Sequence, residues 1–507
     1  MKKKYVRWTL WTIASPFILF IILCILIYLP PIQNFLVDKA AVYASEATGM
    51  NISVGRISLS FPLNLVVTDV DAASPHKDTL LSVRRLQVNV QLLPLLKKQV
   101  EVDGISLQGA TVNSNDLIHG MKLNGTLGEL FISSHGVALD PETAIVNKVL
   151  LKDTDLSLCL NDTAAADTAA SDTTYWKIIL QDIDLQNVSF ALDMPLDSLS
   201  LAASLDNAIL RDGLIDLHKS AYSLQTFRIE NGRVRYDNGK PLAADSLSSG
   251  LDPSHIALTD IGVKLDSLYY GGRNMKAIIS QFVLKERSGV EIVSATGRMV
   301  SNDKVLRVPS LKLETRDSYL ELNAAMDWNA LDFKGEGLMS ARLMADIGKP
   351  DVVRFMGRMD EKFVRQYPSE PLRIRTGIDG DLNKLKLTTL TAELPGALGL
   401  FARGELTHLT DSLLRGGDIT LEAETKDLKF VSTLAEGIEI PYGTRLEGKF
   451  TMAGAKMGTD LLLMQPEAQA VAAADTIPIT VYNDSISVAD DFKMERAARL
   501  FAKYDLS

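Results

Sequence analysis

One spacing constrains this chain more than any other feature: apolar side chains two residues apart, then three, then two. It occurs at Ile105, Leu107, Ala110 and Val112, and again at Ile183, Leu185, Val188 and Phe190. It returns at Ile256, Leu258, Ile261 and Val263 and at Leu306, Val308, Leu311 and Leu313, with a related copy at Phe227, Ile229, Gly232, Val234 and Tyr236. Strand side chains alternate with period two, so a three-residue step moves the apolar set to the opposite parity halfway along. Something must absorb one residue there. The steps contain Gln108-Gly109, Gln186-Asn187, Glu230-Asn231 or Pro309-Ser310, types that suit a bulge, a bend or a tight corner. The expectation is a strand that bends sharply while keeping its apolar side chains on one continuous inner face.

From Ile52 to about Met464 helical periodicity is scarce, and short alternating segments are separated by Gly, Asn, Asp and Ser. Leu150 to Leu160 and Leu382 to Leu390 read as further strands. Residues 161–174 form a polar, low-complexity stretch, read as a solvated loop between strands. The spacing copies recur at irregular intervals, which excludes a solenoid of fixed repeat length. Phe35 to Ala47 carries Leu36, Ala40, Tyr43 and Ala47 at helical spacing, and Thr48-Gly49 ends it. After Met464 a polar linker leads to one apolar strand near Ile477 to Tyr482 and a helix-like stretch from Phe492 to Tyr504.

Trp8 to Leu29 is nearly uninterrupted apolar sequence, long enough for a bilayer's hydrocarbon core. Lys2, Lys3, Lys4 and Arg7 precede it and an uncharged Pro30-Pro31-Ile32-Gln33 follows, which predicts a cytoplasmic N-terminus. Trp8, Trp11 and Tyr28 sit near its ends, where interfacial aromatics belong. The run is long for the apolar part of a cleaved signal peptide, so retention as an anchor is the expectation. The organisation read from sequence is therefore a basic tail (1–7), a transmembrane signal-anchor (8–29), a juxtamembrane amphipathic helix (30–50), a β body (51–464) and a linker, strand and terminal helix (465–507).

Composition excludes several function classes. With a net charge of −10 and basic residues dispersed after the first ten positions, the chain lacks the electrostatic footprint of a nucleic-acid binder. Two cysteines, Cys24 and Cys159, supply neither a disulfide framework nor a thiolate metal site. The histidines His76, His119, His135, His218, His255 and His408 lack metal-ligand spacing, and no phosphate loop, dinucleotide fingerprint or nucleophile elbow is present. The reading is a non-enzymatic protein without cofactor or metal. Asp153/Asp155 and Asp182/Asp184 each place two carboxylates on one strand face, read as solvated surface in preference to a cation site. Asp-Ser/Thr followed by an apolar residue or Thr begins at Asp78, Asp162, Asp167, Asp172, Asp197, Asp245, Asp266, Asp411, Asp475 and Asp484. The form resembles an O-glycosylation acceptor of extracytoplasmic bacterial proteins; the alternative is Asx geometry in turns.

An apolar inner face needs a cover. Few helices are available, so the sheet either folds onto itself around a filled core or stays open as a groove for an apolar ligand. Gly49 to Leu63 (GMNISVGRISLSFPL), continuing into Leu65 to Asp71 (LVVTDVD), resembles the opening of the AsmA-like family, TamB type. Leu86 to Lys98 (LQVNVQLLPLLKK) followed by Val100 to Val112 (VEVDGISLQGATV) resembles it too. The resemblance covers residues 1 to about 240 and is looser to about 460. It implies a mainly β fold: a transmembrane helix and a short amphipathic helix, then an elongated, curved, repetitive groove shaped like a taco shell. It implies a periplasmic body anchored in the inner membrane that carries phospholipid acyl chains toward the outer membrane. The alternative is a closed β scaffold assisting assembly or secretion of outer-membrane β-barrel proteins. On the first reading the trough is lined by Ile105, Leu107, Val112, Ile183, Leu185, Val188, Phe190, Phe227, Ile229, Val234, Tyr236, Ile256, Leu258, Ile261, Val263, Leu306, Val308, Leu311 and Leu313. The chain departs from the long members of that family after residue 464, which reads as a fragment, a short relative or one half of a split system.

Overall fold

The alternating segments form long strands because each apolar side chain finds like neighbours on the flanking strands while the backbone completes its hydrogen bonds along both edges. A computed structural model describes residues 39, 41–42, 45–46, 50–60, 64–74, 79–91, 102–114, 120–139, 142–161, 176–239, 250–331, 337–357, 360–434, 442–454, 456–465 and 496–505. The chain divides into two units, Met1–Lys240 and Pro241–Ser507.

The first unit contains β1 (Asn51–Ser60), β2 (Asn64–Ala73), β3 (Thr79–Val90), β4 (Val102–Asn113), β5 (Met121–Leu139), β6 (Glu142–Leu160), β7 (Lys177–Met194), β8 (Leu199–Asp216), β9 (Ala221–Leu224) and β10 (Thr226–Asp237). β1 to β6 form an antiparallel meander. β6 and β7 then pair in parallel, and β8 pairs antiparallel with β7 on one side. On its other side β8 pairs with β10 and, at its end, with β9. A parallel pair needs a crossover. Residues 161–176 provide it, and the polar loop read at 161–174 lies outside the described residues.

In the second unit, β11 (His255–Gly271), β12 (Asn274–Glu286), β13 (Glu291–Ser301), β14 (Val305–Thr315), β15 (Tyr319–Asp327) and β16 (Met339–Ile347) precede two short helices, α1 (Lys349–Met356) and α2 (Glu361–Gln366). β17 (Leu372–Gly380), β18 (Lys384–Leu394), β19 (Leu398–Thr407), β20 (Gly416–Thr425), β21 (Arg445–Ala453), β22 (Lys456–Gln465) and β23 (Arg496–Asp505) complete it. From β11 to β23 each strand pairs antiparallel with the next. Its buried cluster is small: Phe363 and Tyr367 pack on Phe430, Leu428, Leu394 and Ala397, with ring centroids 5.1–5.7 Å apart. Asp360 caps α2, accepting from the Lys362 N–H at 2.8 Å. Asp351 on α1 is 1% exposed and accepts from the Thr315 hydroxyl, from the Ser318 hydroxyl at 2.6 Å and from Arg354 at 3.1 Å. This network pins the helical insertion to the β14–β15 turn.

Two expectations change. Among the described residues no helix is long and apolar enough to cross a membrane. The longest, α1, has 8 residues and rises about 12 Å, against a hydrocarbon core of about 30 Å. The span read at 8–29, with its flanking Lys2, Lys3, Lys4, Arg7, Trp8, Trp11 and Tyr28, lies outside the described residues. The fold is thus a mainly β structure without a demonstrated transmembrane helix, and single-pass inner-membrane topology is withdrawn. In the juxtamembrane stretch, Lys39, Ala41, Val42, Ser45 and Glu46 are helical. Finally, the terminal helix read over Phe492 to Tyr504 is instead strand β23, paired with β22. Its Ala and Leu positions fit either period, and the unpaired edge of β22 decides for the strand.

Candidate functional site

The register explains the two-three-two spacing. In the first unit Gly55 lies between the pairs Val54↔Val70 and Arg56↔Thr68, and so faces Asp69. The same count across each ladder places Gly55, Asp69, Arg84, Gly109, Gly128, Asp153, Asn187, Asp206 and Asn231 in one row across the sheet. Five of them are left-handed: Asp69 (φ 54), Gly109 (φ 63), Asp153 (φ 48), Asn187 (φ 51) and Asn231 (φ 53). A left-handed residue rotates the chain and swaps the parity of the residues after it, so every strand bends at the same line, a crease. These five belong to β2, β4, β6, β7 and β10, which all run in one direction. β1, β3, β5 and β8 run the other way and carry no positive φ at the crease. Gly, Asn and Asp tolerate this conformation best, which is why they occupy the steps.

On both sides of the crease the apolar residues join into rows. One runs Ile57, Val67, Leu86, Leu107, Leu130, Leu151, Leu185, Ala208, Ile229 without interruption. A parallel one passes through Leu59, Val88, Ile105, Ile132, Val149, Ile183, Leu210 and Phe227. Beyond the crease Ile52, Ala72, Leu81, Val112, Gly125, Leu156, Phe190, Ala203 and Val234 form a third. Val54, Val70, Val83, Ala110, Leu127, Thr154, Val188 and Leu205 form a fourth beside it. Tyr236 continues from Leu158, Leu192 and Leu201 in a shorter row. The opposite face is polar: Gln108, Glu129, Lys152, Gln186, Asn207 and Glu230 are cross-strand neighbours there. Ala72, Val83, Thr154 and Ala208 on these rows are buried, whereas Leu81, Ile105 and Phe190 remain 37%, 36% and 39% exposed, so protein atoms cover the apolar face only in part.

The second unit repeats the plan with bulges. Register shifts fall between Thr259 and Gly262, between Val308 and Leu311, and between Leu387 and Leu390. Only the first carries a left-handed residue, Asp260 (φ 51). A row runs Leu311, Leu322, Leu343, Thr376, Leu390, Ala402, Leu421, Gly448, Leu461. Leu313, Val308 and Leu306 lead rows that begin with Leu320, Ala324 and Met326. β11 departs from the pattern. Val263 faces Phe282, but Leu258 faces Glu286, whose carboxylate accepts the Ala257 N–H at 3.2 Å and the Ser288 N–H at 2.5 Å. Ile261 is buried and Ile256 half-buried.

Ionic groups lie on the polar side. Asp182 and Asp184 share Arg211, the latter at 2.8 Å, so these paired carboxylates hold a guanidinium. Asp153 and Asp155 do not share a face, because Asp153 is the crease residue; it accepts from Asn187 Nδ2 at 2.9 Å, and Asp206 accepts from Asn231. Among the described residues no group of three His, Cys, Asp or Glu side chains could hold a metal ion. His255 donates or accepts at 2.8 Å to Asp252, and this bond, with the Ser254 N–H, holds the Asp252 carboxyl below its ordinary 3.8. Burial pushes the Tyr367 phenol above its ordinary 10.0. Asp411 accepts the Leu413 and Leu414 N–H groups at 2.9 and 3.1 Å, the Asx geometry of a turn; Asp197 ends a short 3-10 helix (Pro195–Asp197) and Asp266 lies within β11.

Sequence reasoning reached the strands of one direction, β4, β7 and β10, and missed their partners. Ile52, Val54, Ile57 and Leu59, or Leu81, Val83, Leu86 and Val88, carry the same spacing in full. In β5 and β8 the signal is diluted by Gly125, Ala203 and Ala208, and in β2 and β6 by Ala72 and Thr154. The lipid-carrying conclusion, drawn from the resemblance, is withdrawn together with the anchor: the structure shows a large β-sheet with an amphipathic cross-section. No protein-family model matches the chain, and no curated protein matches it.

Proposed function

We propose that this protein is a non-enzymatic β scaffold that shelters the apolar face of an amphipathic, β-rich polypeptide during its assembly, as an outer-membrane β-barrel protein requires. One observation carries the reading: the four rows across β1 to β8 are aliphatic at nearly every position, and their cover is incomplete, with Leu81, Ile105 and Phe190 exposed. Such a face is costly in water, and monomeric proteins rarely leave one so large. A client strand also alternates apolar and polar, with a repeat of about 3.3 Å per residue, so its apolar side chains match the pitch of the rows. Each aliphatic side chain removed from water in this way contributes about 1.5–3 kcal/mol. The reading needs no reacting group, cofactor or metal.

The test is suppression of aggregation. A urea-unfolded outer-membrane-type barrel polypeptide is diluted into buffer with the full chain, and light scattering is followed. The expected result is suppression near equimolar ratio, lost in Leu151→Asp and Ile183→Asp variants that keep the wild-type circular dichroism. No suppression, or equal suppression by those variants, overturns the proposal.

A further inference from the structure

We infer that the outer edge of β1 is a docking site for one added strand, running antiparallel to β1, from a partner polypeptide of defined pattern. This deepens the scaffold reading and rests on it. The four long apolar rows of the first unit end at β1, on Ile52, Val54, Ile57 and Leu59. The backbone there is oriented for pairing. Ile52 N–H donates to Ser45 Oγ at 3.0 Å, so the amide at this position points away from β2. Two residues on, the Val54 N–H points the same way, and among the described residues it has no partner. Ser45 therefore covers the start of the edge, and beyond it no described strand pairs with β1 on the side away from β2. The edge continues the strand-to-strand interface already used in every ladder of the unit.

The crease dictates what can add. Gly55 is the crease residue of β1, and among the described residues its one neighbour in that row is the left-handed Asp69 on β2. Every other crease residue without positive φ lies between two left-handed ones: Arg84 between Asp69 and Gly109, Gly128 between Gly109 and Asp153, Asp206 between Asn187 and Asn231. A strand added antiparallel to β1 runs in the left-handed direction and must place such a residue opposite Gly55. Its apolar residues must then sit at i, i+2, i+5 and i+7, with Gly, Asn or Asp at i+4. A strictly alternating strand can follow the sheet on one side of the crease only, because past the bend its polar residues would meet the apolar rows.

The probe is a fluorescent peptide copy of Val102 to Asn113, which carries the pattern with Gly109 at i+4, confirmed monomeric by sedimentation. The control omits the residue corresponding to Gly109, and that one deletion converts the pattern to strict alternation. Anisotropy with the full chain is expected to show at least tenfold tighter binding of the patterned peptide. A Val54→Pro variant, which removes the outward N–H and leaves those that face β2, is expected to weaken it at least tenfold. Equal binding of both peptides, no binding of the patterned one, or undiminished binding to a folded V54P overturns the inference. If V54P does not fold, the peptide pair decides alone. Self-association of the full chain that V54P abolishes while no peptide binds identifies a second copy as the occupant, and also overturns it. Suppression of client aggregation that survives in V54P but not in L151D leaves the scaffold reading standing while the edge inference falls.

Discussion

Asn187 is where the bending mechanism is most exposed to test. It sits at φ 51 in the middle of β7, a region that costs a β-branched residue about 1–2 kcal/mol. Its side-chain amide donates to Asp153 at 2.9 Å, an exposed bond worth about 0.5–1.5 kcal/mol. Asn187→Val loses both, about 2–3 kcal/mol, whereas Asn187→Gly keeps the conformation and loses only the bond, about 1 kcal/mol. Ser189→Val, two residues away with ordinary φ on the polar face, is the control and is expected within about 0.5 kcal/mol of wild type. Urea unfolding followed by circular dichroism ranks the three. If Asn187→Val costs no more than Ser189→Val, or less than Asn187→Gly, the left-handed residue is not what bends the strand, and the crease loses its physical cause.

Further consequences can be checked independently. A side chain at Gly128 would bring its Cβ to 2.8 Å from Asp153 Cβ and 2.9 Å from two carbonyl oxygens, so Gly128→Val is expected to lower the melting temperature more than Ser189→Val does, and equal melting temperatures refute the close approach. Asp351→Ala leaves the Thr315 and Ser318 hydroxyls and Arg354 without a buried acceptor; a loss of about 3 kcal/mol is expected, seen as faster hydrogen exchange in α1. The Tyr367 phenol has a folded pKa above its ordinary 10.0, so its contribution is intact below pH 10.0 and is lost as pH rises toward the folded value. Absorbance at 295 nm is expected to show late-titrating tyrosines, with Tyr319 raised by its hydrogen bond to Glu321 and Tyr367 by burial, and Tyr367→Phe is expected to remove one of them. Deleting about ten residues from 161–176 leaves a reach of about 25 Å, short of the roughly 39 Å that separates Leu160 from Lys177 even with a right-angle bend at Asp153, so loss of the β6–β7 pair is expected by hydrogen exchange.

The two-three-two spacing made the bend legible because parity is a strict constraint: Leu185 and Val188 cannot share a face of a regular strand, and a residue such as Asn187 has to absorb the difference. The continuity of the rows was not legible, because it depends on register, and register is a relation between strands that no single strand encodes. Leu107 meets Leu130, and Leu130 meets Leu151, only once the ladders are aligned. The parallel pairing of β6 with β7 was hidden as well, since periodicity does not report strand direction. Nor did periodicity separate helix from strand over Arg496 to Asp505, where the short Ala residues fit both.

A sheet whose apolar face is covered only in part must draw stability from elsewhere as well, and the topology shows from where. Each strand is held by its two neighbours: by backbone hydrogen bonds along 9 to 19 residues in the long strands, by aliphatic contacts along the rows and by ion pairs such as Arg211 with Asp182 and Asp184 on the polar side. Stability in such an arrangement is a sum of neighbour terms, as in repeat proteins, and does not depend on one central core. The apolar face is therefore free to bind, because removing a client exposes surface without dissolving the ladders beneath it. Among the described residues β1 pairs with β2 alone and is short of one neighbour term, so it gains from any strand that satisfies its edge, its rows and its crease at once, and a strand that misses the crease by one residue forfeits half of that gain.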